Sequence, residues 1–314
     1  MLHLRVVCPA ELVDDVRGAL TDHTGAVAVR VAGESSDGTE LTADVARESV
    51  DDLLDALREL RVDECGLIST EPLDTTIGAL ADRAEREAPG EGADALIWDE
   101  LAARGREDST LTGTYLAFMV LATLLAAIGV VTNSQITIVG AMVVGPEFGP
   151  LAAIAVELMR RNGAGVRRAL VALGVGFPVA LVVAALLSLA ARAAGLIRPA
   201  DLASGTSVDF IYHPGWFSLI TAVVAGCAGM LSLTSSKSSA LVGVFISVTT
   251  IPAAGNAAVA SVLGNWHETW LSLAQLGVNL VGILGAALVT LALMNRAWTA
   301  AHAQAPATCD HPSS

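Results

Sequence analysis

From Leu111 onward the chain carries six long apolar stretches, at about 111–131, 136–158, 169–191, 215–235, 239–263 and 270–294. Each reaches the roughly 20 residues a helix needs to cross a hydrocarbon layer about 30 Å thick. Stretches of this kind need lipid as their solvent. With 53% hydrophobic residues and a mean hydropathy of +0.60, the chain is not an ordinary soluble enzyme. Only the polar step Thr132-Asn133-Ser134-Gln135 separates the first two stretches.

Six crossings bring both termini to one side. With the N-terminus inside, Arg104, Arg106, Arg160, Arg161, Arg167, Arg168, Lys237 and Arg296 fall at inner ends, against Arg192 and Arg198 outside. Lysine and arginine gather on the cytoplasmic side of membrane proteins. The expectation is therefore a multi-pass protein of the cell membrane with cytoplasmic N- and C-termini.

Residues 1–109 differ in kind, with 26 acidic residues against 10 arginines, while the remainder has 6 acids and 8 bases. A front part so acidic repels phosphate, which excludes nucleic acid as a partner. The opening MLHLRVVCPAEL lacks the basic and apolar regions of a signal peptide, so none is expected. Cys8, Cys65, Cys227 and Cys309 lie far apart with no C-x-x-C, which points to free thiols.

Residues 2–8, 26–31 and 39–46 alternate or run apolar as half-buried strands do, and 65–70 give a weaker fourth. Between the first two strands, Leu12, Val13, Val16 and Leu20 recur at helical spacing after Pro9. Between the third and fourth, Ser49 is placed to cap a helix whose first turn holds Asp51 and Asp52. Val50, Leu53, Leu54, Leu57 and Leu60 form its apolar stripe. The order βαββαβ predicts a ferredoxin-like arrangement, two helices over one face of a four-stranded antiparallel sheet.

The predicted class is α+β. A ferredoxin-like cytoplasmic domain (1–72) leads into a polar helical connector (73–109) interrupted at APGEG, then a six-span membrane domain (110–296) and a disordered C-terminal tail (297–314).

Two of the spans carry the same motif. P-x-x-G-[PN] runs from Pro146 to Pro150 in one and from Pro252 to Asn256 in the other, and the interval Ser134–Gly140 matches Lys237–Gly243. The half-repeat is about 100–106 residues, with three crossings in each half. An odd number inverts one copy against the other, the plan of many secondary transporters.

Proline removes a backbone donor and glycine relaxes the chain, so each P-x-x-G is expected to interrupt its helix. In lipid, interrupted backbone is tolerated where protein buries it or where it lines a watery cavity. Either the two interruptions share a site or they are two tolerated kinks. The candidate substrate or ion path comprises Gly140, Pro146, Glu147, Gly149, Pro150, Thr249, Thr250, Pro252, Gly255, Asn256 and Asn279.

Glu147 is the ionisable member. A carboxylate inside a span costs about 3 kcal/mol or more and faces a cavity, a partner or a transported ion; on a re-entrant turn near the membrane surface it has no such role. Neutral Ser247 and Gln275 add further polar groups, each equally suited to joining helices. Ser235, Ser236, Lys237 and Ser238 open the fifth span, where hydroxyls, free amides and the chain's single lysine would cradle a small anion; an ordinary helix cap fits them too.

His213 and His267 lack ligand-spaced partners, and neither G-x-S-x-G nor a carboxylate pair appears. No catalytic residue, metal or cofactor is expected. Gly226, Gly229, Gly277, Gly282 and Gly285 permit close helix contacts within one subunit or between subunits of a homo-oligomer.

The segments TIVGAMVVGPEFGPLAA (137–153), AGCAGMLSLTSSKSSALVGVFISVTTIPAAGNAAVA (225–260) and AQLGVNLVGI (274–283) carry a family likeness over nearly all of 111–294. Here the chain resembles the bacterial membrane proteins of the domain of unknown function (DUF) 389 family. Its arginine-rich, lysine-poor composition is similar to the actinobacterial branch. In much of that family the stretch after G-A-M reads closer to P-L-M-G-P, so Glu147 is a departure. The resemblance implies an integral membrane protein and assigns no activity. Two functions remain in view: a transporter or channel-like protein for a small solute or ion, and a membrane-anchored sensor whose ferredoxin-like domain binds a small ligand.

Overall fold

A computed structural model describes residues 1–73, 75–88, 97–197, 215–234 and 250–304. The chain divides into two compact units, Met1–Asp99 with Met294–Ser314, and Glu100–Leu293.

In the first unit, β1 (Leu2–Cys8), β2 (Ala26–Ser35), β3 (Gly38–Val45) and β4 (Leu67–Pro72) form one sheet in the order β2-β3-β1-β4. All its pairings are antiparallel, and Leu2 stands opposite Val45 on one side and Pro72 on the other. Helix α1 (Val13–Asp22) joins β1 to β2, while α2 (Val50–Glu59) and the single turn α3 (Val62–Cys65) join β3 to β4. Because strand side chains alternate, Leu2, Leu4, Val6 and Cys8 share a face, and they close a core with Leu20, Leu53 and Leu57.

The hairpin carries β2 four residues beyond the expected Val31, and Gly38 begins the return with φ of +133°. A Cβ there would lie 2.5 Å from the Cys8 carbonyl oxygen, so only glycine fits.

One expectation is corrected. Ser49 precedes α2 but makes no cap hydrogen bond, because its backbone (φ −101°, ψ 0°) continues the 3-10 turn Arg47–Ser49 instead of adopting the extended form a capping residue uses. The connector contains the two polar helices α4 (Ala79–Glu87) and α5 (Trp98–Asp108); its Pro-Gly turn lies outside the described residues.

The second unit is helical. α6 (Gly113–Val131) is followed by α7 (Gln135–Val144) and α8 (Phe148–Met159), bent at 45° to each other, and then by α9 (Gly163–Ala193). α10 (Trp216–Thr234), α11 (Thr250–Leu263) and α12 (Trp266–Gln304) complete it, with α12 running past the residue at which the tail was expected to begin.

Among the described residues four helices are long and apolar enough to cross a membrane, or five if α7 and α8 form one broken span. Of the expected span 239–263 only α11 is described. Its 14 described residues reach about 21 Å at 1.5 Å per residue.

The two short helices are enclosed by the long ones. Residues 150–157 of α8 and 250–260 of α11 are all buried, and α11 packs on α6 and α9. Large apolar side chains such as Phe118, Leu121, Leu186 and Val281 are exposed on the long helices, as on a lipid-facing surface.

The helix starts recur at one spacing: α6 and α10 begin at 113 and 216, α9 and α12 at 163 and 266, each 103 apart. The joints agree as well. After α8 comes Arg161 at φ +57° and then Asn162, whose Oδ1 accepts from Gly165 N at 3.4 Å. After α11 comes Gly264 at φ +81° and then Asn265, whose Oδ1 accepts from Glu268 N at 3.3 Å.

Both α8 and α11 carry a proline near their described beginnings. Pro150 is the third residue of α8, where a missing N–H costs nothing, and Pro252 is the third described residue of α11.

Candidate functional site

α7 stops at Val144 because Gly145 turns extended (φ −67°, ψ 126°) before Pro146. Glu147 immediately precedes α8, makes no side-chain cap hydrogen bond and is 0% exposed. Its Oε1 accepts a hydrogen bond of 2.6 Å from Thr250 Oγ1, at the start of α11, where Thr250 is also 0% exposed.

The carboxylate therefore sits at the positive end of α8, a position that favours negative charge, and ties the first break to the second half of the unit. Tyr115 of α6 lies close enough to sense that charge. Its hydroxyl is buried without a hydrogen-bond partner, and its ring covers Gly176 of α9.

The remaining path residues divide. Pro150, Pro252 and Gly255 are buried, whereas Pro146 and Gly149 are partly exposed, with Gly149 packed on the Asp108 side chain. At Gly255 a Cβ would lie 2.6 Å from Ala126 Cβ and 2.7 Å from Ala127 N, so glycine is what lets α11 approach α6. Gly140 is exposed on α7 with open space around it, away from Glu147. Thr249 and the anion-site residues Ser235, Ser236, Lys237 and Ser238 lie outside the described residues.

Asn256 and Asn279 belong to two further polar clusters. Asn256, 0% exposed, donates through Nδ2 to Glu268 Oε1 at 3.1 Å and to Ser272 Oγ at 2.9 Å. Asn279 Oδ1 accepts from Ser218 Oγ at 3.1 Å and from Gln275 Nε2 at 3.3 Å, and Gln275 also donates to Ser218.

Sequence reasoning missed Glu157, Glu268, Ser272, Ser218 and Tyr115. For Glu157 the signal was a second acid inside an expected span, and for Glu268 an acid three residues after Asn265 at a helix start. Among the described residues no group of three or more His, Cys, Asp or Glu could hold a metal ion. A cavity of about 380 Å³ lies elsewhere, between α6 and α9, with apolar walls including Leu124, Ile128, Leu187 and Leu196.

Four long apolar helices, with the buried α8 and α11 beside them, are the marks of a membrane-embedded protein. More particularly, residues 142–285 match the family model described as Domain of unknown function (DUF389), a stretch that takes in Glu147, Thr250, Asn256 and Glu268. No curated protein and no solved structure matches the chain.

Proposed function

We infer that this is a multi-pass protein of the cell membrane, not an enzyme, that passes a small solute or ion along a path through the two enclosed half-helices. The observation that carries this reading is the fully buried Glu147–Thr250 contact. Buried carboxylates in apolar helical units mark ion or substrate paths, and this one links the residue before α8 to α11.

The 103-residue spacing supports two repeats. In this reading they are inverted, each contributes three crossings, and both termini are cytoplasmic. Transporter sites form where half-helices of such repeats meet. The stretch Ser235–Ser238, with Lys237, is the candidate contact for an anion.

The test is flux in proteoliposomes against a panel of radiolabelled ions and small solutes. Uptake by the wild-type protein should be lost in Glu147→Gln and reduced in Thr250→Val. No uptake of any panel member, or uptake unchanged in Glu147→Gln, overturns the reading.

A second reading is a sensor in which the βαββαβ unit, read as ferredoxin-like, binds a small ligand. It is favoured by Ser49 Oγ and Asp51 Oδ1, both buried without hydrogen-bond partners around the start of α2. Small molecules that co-purify with the wild-type chain and are lost from Ser49→Ala would select it.

A further inference from the structure

The two helix joints with Asn caps share a second feature. Glu268, in the first turn of α12, has Gly165 of α9 as its counterpart 103 residues earlier. A side chain built at Gly165 would fall on the Glu157 carboxyl group. Glu157, in the last turn of α8, thus fills the volume that the glutamate's counterpart leaves vacant. Each half brings one carboxylate to the same joint from a different position in the chain, which caps or propensities do not require.

Both joints also hold an unpaired buried oxygen. Glu157 is 5% exposed and its Oε2 has no hydrogen-bond partner; Asn256 is 0% exposed and its Oδ1 has none. Buried polar atoms left unpaired are costly, on the order of 1–3 kcal/mol each, and ask for an explanation. At the α11–α12 joint Arg192 donates to the Val262 carbonyl.

We propose that the α11–α12 joint is a binding site for a monovalent alkali cation, held by the Glu268 carboxylate, the Ser272 hydroxyl oxygen and the Asn256 amide oxygen. The Asn256 amino group now faces the other two oxygens at 3.1 and 2.9 Å. A half-turn of the amide exchanges its nitrogen for Oδ1 and leaves three oxygens facing one point. Hard cations take oxygen ligands of these kinds, and one carboxylate balances one positive charge. Asn265 Nδ2 holds Glu268 Oε2 at 2.7 Å and acts as a positioning residue. The ends of half-helices are where coupling cations bind in repeat-built transporters. The Glu157 joint is the counterpart in the first half.

This site is separate from the Glu147–Thr250 contact, and its occupancy does not depend on transport. The test is thermal unfolding of the full-length protein in detergent, in sodium or potassium chloride against choline chloride at equal ionic strength. One of the alkali salts should raise the midpoint saturably, and the rise should vanish in Glu268→Gln and shrink in Ser272→Ala while persisting in Glu147→Gln. Saturable heat of sodium or potassium binding to the wild-type protein is the second measure, needed should either variant fail to fold. Equal midpoints in all three salts together with no saturable binding, or a rise that survives in Glu268→Gln, overturns the proposal. Loss of flux in Glu147→Gln with the cation effect intact would separate the two sites.

Discussion

The two units treat charge in opposite ways. In the sheet unit many acids face water and pair loosely with arginines, as in Arg17–Asp14 at 2.7 Å with both side chains more than half exposed. In the helical unit Glu147 and Glu157 are 0% and 5% exposed, inside a shell of alanine, valine and leucine. An acid in water is inexpensive and contributes little, whereas one enclosed by apolar helices needs a compensating contact. The comparison teaches where to look: 26 acids before residue 110 say less about function than the few after it.

The sharpest way to break the contrast is to disturb the enclosure itself. Gly255→Leu drives a side chain into Ala126 and Ala127 of α6 and should abolish folding or lower stability by about 3 kcal/mol or more. Gly140→Leu, in open space, should leave the detergent melting temperature unchanged. Equal effects would mean that α11 is not held against α6.

A core change in the sheet unit ranks next. Leu57 is 0% exposed among the strand residues of its core, so Leu57→Ala should cost about 2–5 kcal/mol. Chemical denaturation followed through the sheet unit reads that loss, and a change below about 1 kcal/mol would contradict the packing described.

Asp51 is an acid of the sheet unit that behaves like those of the helical one. Burial, reinforced by the nearby Asp99, Asp55 and Asp52, pushes its carboxyl up to about 6 despite the Trp98 N–H. The folded state then favours the protonated form. Its contribution to stability is full below the ordinary value of 3.8 and is lost as pH rises through about 6. Asp51→Asn should therefore be more stable than the wild type at pH 7, by about 2 kcal/mol, with the difference vanishing below about pH 4. Unfolding midpoints of the two proteins across that range decide it, and a constant difference would remove the effect. At the smallest end, Arg17→Ala should leave the midpoint unmoved, since the pair it breaks is solvated.

Much of this was readable in the residues. Alternation in LHLRVVC and the stripe through Leu53, Leu54 and Leu57 placed β1 and α2, because side-chain period follows backbone geometry directly. Glu147 and Thr250 were both named from sequence as candidate path residues, and the hydrogen bond of 2.6 Å between them is visible only in three dimensions. The P-x-x-G match pairs Pro146 with Pro252 in sequence, while in the structure Pro150 is the proline inside the first turn of α8. The interval Ser134–Gly140 against Lys237–Gly243 already had the 103-residue spacing.

Asn256 and Asn279 looked like members of one path, yet they point into different clusters, because a helix directs residues to faces that spacing along the chain does not reveal across elements. Glu157 was hidden for the same reason. Its partner volume is made by a glycine, whose missing side chain leaves no mark in a hydropathy pattern.

The central claim is that a buried carboxylate in the first break is held by the second half of the helical unit. A double-mutant cycle on Glu147→Gln and Thr250→Val, read as unfolding free energy of the full-length protein in detergent, tests it most directly. A charge-assisted hydrogen bond in an enclosed setting should give a coupling of about 1–3 kcal/mol. Strictly additive effects would show that the two residues do not meet.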